Sequence, residues 1–255
     1  MASPAYRLAA LDQDFLLGDS TRGLRFQLEY AKAHEGLIAY GVRSTIVVFG
    51  SARVSENGPG RHAHWYAEAR TFGALASREG GAVRRHAEGH DNVIATGGGP
   101  GIMEAANRGA SDAGAPSIGF NIGLPREQQP NAYSTPDLTF QFHYFALRKL
   151  HFAMRANALV AFPGGFGTLD ELFELLTLIQ TQKMPIVPVV LIDRSYWTRV
   201  ISFETLAEEG MIERTNLDLF SYADNAEDAW RELVRRGLKA GPRPPGYPST
   251  FDVRE

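Results

Sequence analysis

The sequence predicts an α/β protein, a Rossmann-like doubly wound parallel sheet in a three-layer α/β/α arrangement. Three observations predict it. Short, nearly continuous apolar runs rich in β-branched residues alternate with helical patterns, as expected of strands buried on both faces. Several runs end in glycine-containing turns that lead into helices, at FGSAR (49–53), TGGGPG (96–101) and PGGFGT (163–168). The chain has 255 residues with 44% hydrophobic and 22% charged residues, enough for one large domain with a sizeable core.

Residues 1–44 read as an N-terminal extension with one helix over 21–40, where Leu24, Leu28, Ala31, Leu37 and Ile38 recur at helical spacing. TIVVFG (45–50) is the first strand. A helix follows over 61–79, with Gly80 and Gly81 as its stop. NVIATGGG (92–99) is the second strand and its turn, with a helix over 101–113. SIGFNI (117–122) is the third strand, residues 125–136 are a proline-bearing loop, and LTFQF (138–142) is the fourth strand. A helix over 144–157 and the strand ALVAFPGG (158–165) come next. A helix then covers 169–182, and IVPVVLI (186–192) is the last strand, with Pro188 near its start. Helices over 196–209 and 226–238 close the domain, set at 45–240. The tail 241–255 is too proline-rich to form a regular element.

Composition excludes several function classes. The net charge of −3 argues against nucleic-acid binding through bulk positive charge. With no cysteine there is no disulfide, no thiolate nucleophile and no Cys-ligated metal. No stretch approaches the ~18 apolar residues of a membrane helix, and the first residues lack an apolar signal core. The expectation is a cytoplasmic protein with no membrane partner. The 26 basic residues comprise 22 arginines and four lysines (Lys32, Lys149, Lys183 and Lys239), which leaves few candidates for Schiff-base chemistry. His62 and His64 are two apart and do not share a helix face, and no metal-binding motif is legible, so no metal and no cofactor are expected.

The glycine turns point to a ligand. In open parallel sheets ligands bind beyond the carboxyl ends of the strands. Each turn there presents a helix N-terminus whose free N–H groups and dipole suit a phosphate. None of these turns is a P-loop, and none completes G-x-G-x-x-G. In PGGFGTLDE, Glu171 stands three residues after Thr168. Read locally this is a capping box, with Thr168 as N-cap and Glu171 serving backbone donors. Equally, Glu171 stands at the mouth of a phosphate-binding turn, where a carboxylate can face a ligand's sugar. Arg148 reads either as a cation on an amphipathic helix or as part of that site.

PGGFGTLDE resembles the PGGxGTxxE signature of the Lonely Guy (LOG) family. GGGPGIMEAANRGA (97–110), the RK pair Arg148–Lys149 and the FGSAR turn resemble its other motifs, at the family's spacing. The resemblance spans roughly residues 46–192. It implies a Rossmann-like, dimeric or larger homo-oligomeric phosphoribohydrolase. Such enzymes cleave the N-glycosidic bond of a purine nucleoside 5′-monophosphate (a cytokinin riboside 5′-monophosphate, or AMP) to free base and ribose 5-phosphate. By motif matching the family's catalytic arginine and glutamate fall on Arg148 and Glu171. Lys149 matches the neighbouring lysine, and Gly164, Gly165, Gly167 and Thr168 match the phosphate-binding turn. Ser51, Gly98, Gly99, Glu127 and Thr177 match further nucleotide contacts. The stretch FALRK (145–149) departs from the H-x-R-K that compact members read, and the long termini resemble the longer bacterial branch. An older family label, lysine decarboxylase, finds little support, since no clear pyridoxal-phosphate lysine is visible. Two other readings stay open on the same fold: a nucleotide-binding or sensory protein without turnover, and a carrier whose extensions recruit a partner.

Overall fold

A computed structural model describes residues 3–83, 89–123 and 129–239. Seven strands form one sheet: β1 (Thr45–Phe49), β2 (Val93–Thr96), β3 (Ser117–Ile122), β4 (Thr139–Phe142), β5 (Ala156–Ala161), β6 (Val189–Ile192) and β7 (Ser221–Ala223). Their order is β4-β3-β2-β1-β5-β6-β7, and every neighbouring pair is parallel. The chain winds outward from β1 to one edge, then returns to lay β5 on the other side of β1. The predicted doubly wound, three-layer α/β/α arrangement is therefore the one the chain adopts. The long helices are α2 (Arg22–Tyr40), α3 (His62–Gly80), α4 (Ile102–Asp112), α5 (Phe145–Arg155), α6 (Phe166–Gln180) and α9 (Ala226–Arg235). Shorter ones are α1 (Gln13–Leu17), α7 (Arg194–Val200) and α8 (Phe203–Glu208).

Alternation along β1 builds the two halves of the core. Val47 and Phe49 face the layer of α2, α5 and α6, while Ile46 and Val48 face α3, α4 and α9. All five residues of β1 are buried, which accounts for the unbroken apolar run. Two glycines let α3 and α4 approach to backbone contact. A Cβ on Gly73 would lie 2.2 Å from the Ala106 carbonyl oxygen, and one on Gly109 would lie 2.0 Å from that of Arg70.

Several boundaries differ from the sequence reading. The helix expected over 144–157 ends at Arg155, and Ala156 and Asn157 already belong to β5, paired with β1. The strand expected from 186 begins at Val189. Pro188 has no N–H to give the ladder, and only its carbonyl engages, accepting from the Leu159 N–H at 2.9 Å. The helix expected over 196–209 is two helices, because Ile201 is extended and the Ser202 hydroxyl caps α8. The edge strand β7 was not anticipated, since three residues with one buried side chain leave no periodic signal. The 241–255 tail lies outside the described residues.

Candidate active site

A cleft of about 960 Å³ opens over the carboxyl ends of β1 and β5, where the winding reverses. Backbone bonds fix its floor: Phe162 N–H donates to the Phe49 carbonyl at 2.8 Å, and Ser51 N–H to that of Pro163 at 3.0 Å. Of the residues anticipated from sequence, Arg148, Glu171, Ser51, Gly164, Gly165, Gly167 and Thr168 all line this cleft.

The glycine turn after β5 leads directly into α6. Gly165 is the N-cap and has no side chain to bond the first turn, so the N–H groups of Phe166, Gly167 and Thr168 face outward without an internal partner. Thr168 therefore lies within the helix and is not its cap, which overturns the local capping-box reading. The helix starts three residues earlier than expected, at Phe166, and its first turn packs back onto Gly164. A Cβ on Gly164 would lie 2.0 Å from Thr168 Oγ1. The Gly164 carbonyl also accepts a 2.7 Å hydrogen bond from the Tyr196 hydroxyl, which pins the turn.

Glu171, one turn into α6, is 6% exposed, and its carboxyl group makes no hydrogen bond among the described residues. Its nearest cation is Arg148, with Nη1 at 3.8 Å from Oε1, an ion pair too long to be a hydrogen bond. Burial pushes the Glu171 carboxyl up to about 7, and the charges of Arg148 and Lys149 only partly offset that. The Arg148 guanidinium is itself held in place. Nε donates to the Phe120 carbonyl at 2.8 Å, and the group lies 5.3 Å from the centre of the Phe152 ring. Gly97 makes room for it, since a Cβ there would meet Nη2 at 2.5 Å. Burial lowers the Arg148 pKa, against the opposing charge of Glu171. The result is a carboxyl group without a hydrogen-bond partner and a fixed cation at its side, both lining the cleft that the start of α6 also lines.

The other anticipated residues are placed elsewhere. Gly98 and Gly99 do not line the cleft, and their carbonyls accept from the backbone and side-chain amide of Asn131. Gly98 has φ +69, and a Cβ on it would strike the Asn121 side chain, so its glycine answers to packing. The first N–H of α4, on Ile102, is taken by the Ser51 carbonyl at 3.1 Å. Lys149 does not line the cleft itself but pairs with Asp170, which does, at 2.8 Å and with Glu174 at 3.3 Å. Burial lowers its pKa, but those two carboxylates more than offset this and leave it above the ordinary value. Thr177 lies on the exposed outer face of α6. Glu127 lies outside the described residues.

Sequence reasoning missed the far wall. Trp65 and Tyr196 line it, packed edge to face at 5.8 Å. Both are held by Asp193, a buried residue at the end of β6 with φ +72. Its carboxylate accepts from Trp65 Nε1 at 2.8 Å, from the Ser195 hydroxyl at 2.8 Å and from the Tyr196 N–H at 3.1 Å, and pairs with Arg61. Only the R-S-Y-W stretch directly after a strand end hinted at this. Among the described residues, no group of three or more His, Asp or Glu side chains is arranged to hold a metal, and no helix is long and apolar enough to cross a membrane.

Fold and site together define a doubly wound α/β protein with a ligand cleft at its switch point. Residues 103–233, just over half of the chain, match the family model described as "Possible lysine decarboxylase", and the chain belongs to that family, the LOG family. Among curated relatives, it is 28% identical over 147 residues to a probable cytokinin riboside 5′-monophosphate phosphoribohydrolase, LOG4 of Oryza sativa subsp. japonica, covering 56% of this chain and 62% of the relative. It is 29% identical over 146 residues to the cytokinin riboside 5′-monophosphate phosphoribohydrolase LOG3 of Arabidopsis thaliana, covering 56% and 66%. The matches thus span less than two thirds of these relatives. Two solved structures share the fold. The X-ray structure titled TM1055 has a TM-score of 0.53 at 20% identity, covering 75% of this chain and 99% of that one. The molybdenum cofactor binding protein of the phototrophic bacterium Rippkaea orientalis has a TM-score of 0.51 at 23% identity, covering 76% and 96%.

Proposed function

We propose that the protein hydrolyses the N-glycosidic bond of a purine nucleoside 5′-monophosphate, AMP or an N6-substituted AMP, to free base and ribose 5-phosphate. The observation that carries this reading is the buried Glu171 carboxyl group, without a hydrogen bond among the described residues and beside Arg148, one turn inside a helix whose N-terminus is open to an anion. The names of the curated relatives support the same reaction class.

In this reading the N–H groups of Phe166, Gly167 and Thr168 bind the 5′-phosphate and fix the ribose. Cleavage passes through an oxocarbenium-like ribose. Ionised Glu171 stabilises that positive charge and takes a proton from the attacking water. The water oxygen bonds to C1′ as the C1′–N9 bond breaks, and the base leaves with the bonding pair and acquires a proton. Arg148 has a permanent charge and is a poor proton donor, so its role is electrostatic and positional. The apolar walls formed by Phe49, Val54, Met103 and Phe145 suit a flat heterocycle. Schiff-base decarboxylation is disfavoured on the lysines present: Lys149 is held as a cation by Asp170 and Glu174, and Lys32, Lys183 and Lys239 are exposed and do not line the cleft. The same reading takes the chain to form a homodimer or larger homo-oligomer. Phe166, 93% exposed, and Phe173, 37% exposed, supply an apolar stripe on α6 in its support, and light scattering tests it.

The deciding experiment incubates the protein with AMP and with isopentenyl-AMP and follows base and ribose 5-phosphate by chromatography, with Glu171→Ala as control. Both products from wild type alone are expected. A folded wild type that binds AMP, raising its melting temperature, yet releases nothing would favour a non-catalytic nucleotide-binding protein instead.

A further inference from the structure

The N-terminal extension runs along the helix that carries Arg148 and touches it at its start, middle and end. At the start, Glu29 of α2 accepts two backbone hydrogen bonds, from His143 N–H to Oε1 at 3.0 Å and from Tyr144 N–H to Oε2 at 3.2 Å. Tyr144 is the N-cap of α5 and supplies no side-chain cap of its own. The Glu29 carboxylate thus stands at the positive end of that helix, where the charge is favourable. Arg25 donates from Nε to the Tyr144 hydroxyl at 3.2 Å, and Phe26 meets the Tyr144 ring edge-on at 4.3 Å. Further along, Tyr30 stacks on His151 at 5.4 Å, and Arg155 donates to His34 Nδ1 at 3.0 Å.

The link to the site is one hydrogen bond long. The Tyr144 carbonyl accepts the backbone N–H of Arg148 at 3.3 Å. The carboxylate that holds the Tyr144 amide therefore sets the turn from which the Arg148 side chain departs. That side chain must reach both the Phe120 carbonyl and Glu171. We propose that Glu29 is a positioning residue for the reaction, and that the extension caps the Arg148 helix in cis and fixes the guanidinium against Glu171. This rests on the hydrolase reading above. It gives the extension a task within the site, although none of its residues lines the cleft.

The test uses the full chain with Glu29→Ala and Glu29→Gln, the second keeping one acceptor. Amide hydrogen exchange over residues 143–150 is expected to accelerate about tenfold or more in Glu29→Ala, with β1 and β5 unchanged. AMP turnover is expected to lose roughly tenfold to a hundredfold in kcat, with KM within about threefold, because small misplacements are costly in the transition state. Glu29→Gln is expected to fall between Glu29→Ala and wild type on both readouts. Unchanged exchange in Glu29→Ala overturns the proposal whatever the turnover. Faster exchange with wild-type kcat also overturns it, because the cap would then be structural only. Wild type that releases nothing from AMP would sink the hydrolase reading, and the exchange comparison alone would decide whether Glu29 holds the Arg148 helix.

Discussion

Glu171 is caught between two opposing effects. Burial favours its neutral form, and Arg148 at 3.8 Å favours the charged form without satisfying it by a hydrogen bond. With the carboxyl pushed up to about 7, a role as anion or base requires deprotonation, so kcat for AMP is expected to rise with pH through about 7 and then level. Rate measurements across the neutral range check this. A profile already flat below pH 6 would remove Glu171 from that role. Glu171→Gln is expected to lower kcat by about a hundredfold to a thousandfold and to erase the pH limb. Arg148→Lys keeps the charge but not the planar fork that binds the Phe120 carbonyl. It is expected to behave as a loss of function, with kcat down about tenfold or more.

At the scale of elements, α6 and its glycine turn carry the phosphate argument. Adenosine, lacking the phosphate, is expected to react about a hundredfold or more slowly than AMP, because remote binding energy would be lost. A nucleoside turned over as fast as its monophosphate would rule out the turn's assigned part. Gly164→Ala forces a Cβ onto Thr168 Oγ1, so a raised KM for AMP is the expected result, read from steady-state kinetics. The α3–α4 crossing makes a separate prediction. A methyl on Gly73 would meet the backbone carbonyl of Ala106, which cannot swing aside as a side chain can. Gly73→Ala should therefore cost about 1–3 kcal/mol in denaturant unfolding with the cleft chemistry intact.

For the molecule as a whole, an acid raised from 4.5 to about 7 by folding is a liability at high pH. The folded state binds the Glu171 proton more tightly than the unfolded state. Stability from this group is fully present below about pH 4.5, falls as pH rises toward 7, and is absent above it. Between pH 5 and pH 8, wild type is accordingly expected to lose stability relative to Glu171→Gln, by at most roughly 3 kcal/mol. Parallel urea titrations of the two proteins measure the difference, and parallel pH dependences would show that Glu171 is not held proton-rich. Such a cost is the usual mark of a group kept for chemistry rather than for packing.

The elements of the sheet were readable because their signals are local. An apolar run buried on both faces, a glycine turn and a helix onset each sit within a few consecutive residues, as in TIVVF and PGGFGT. Motif spacing placed Arg148 and Glu171 on consecutive helices near one turn, and the structure puts both side chains in one cleft. What the sequence could not determine was direction and partnership. Lys149 adjoins Arg148, yet it turns to Asp170 and Glu174 because its neighbour's place on the helix faces the sheet and its own does not. The glycines at 98 and 99 look like those at 164 and 165, but the Gly98 N–H is taken by Thr96 Oγ1, and the first N–H of the helix that follows is taken by the Ser51 carbonyl from another part of the chain. Asp193, Tyr196 and Glu29 reach the site, or the helix that builds it, only through long-range contacts. Local sequence thus determined which elements form and where they turn. The tertiary structure alone decided which open groups remain for a ligand, because a hydrogen-bonding group is satisfied by whatever the fold brings beside it.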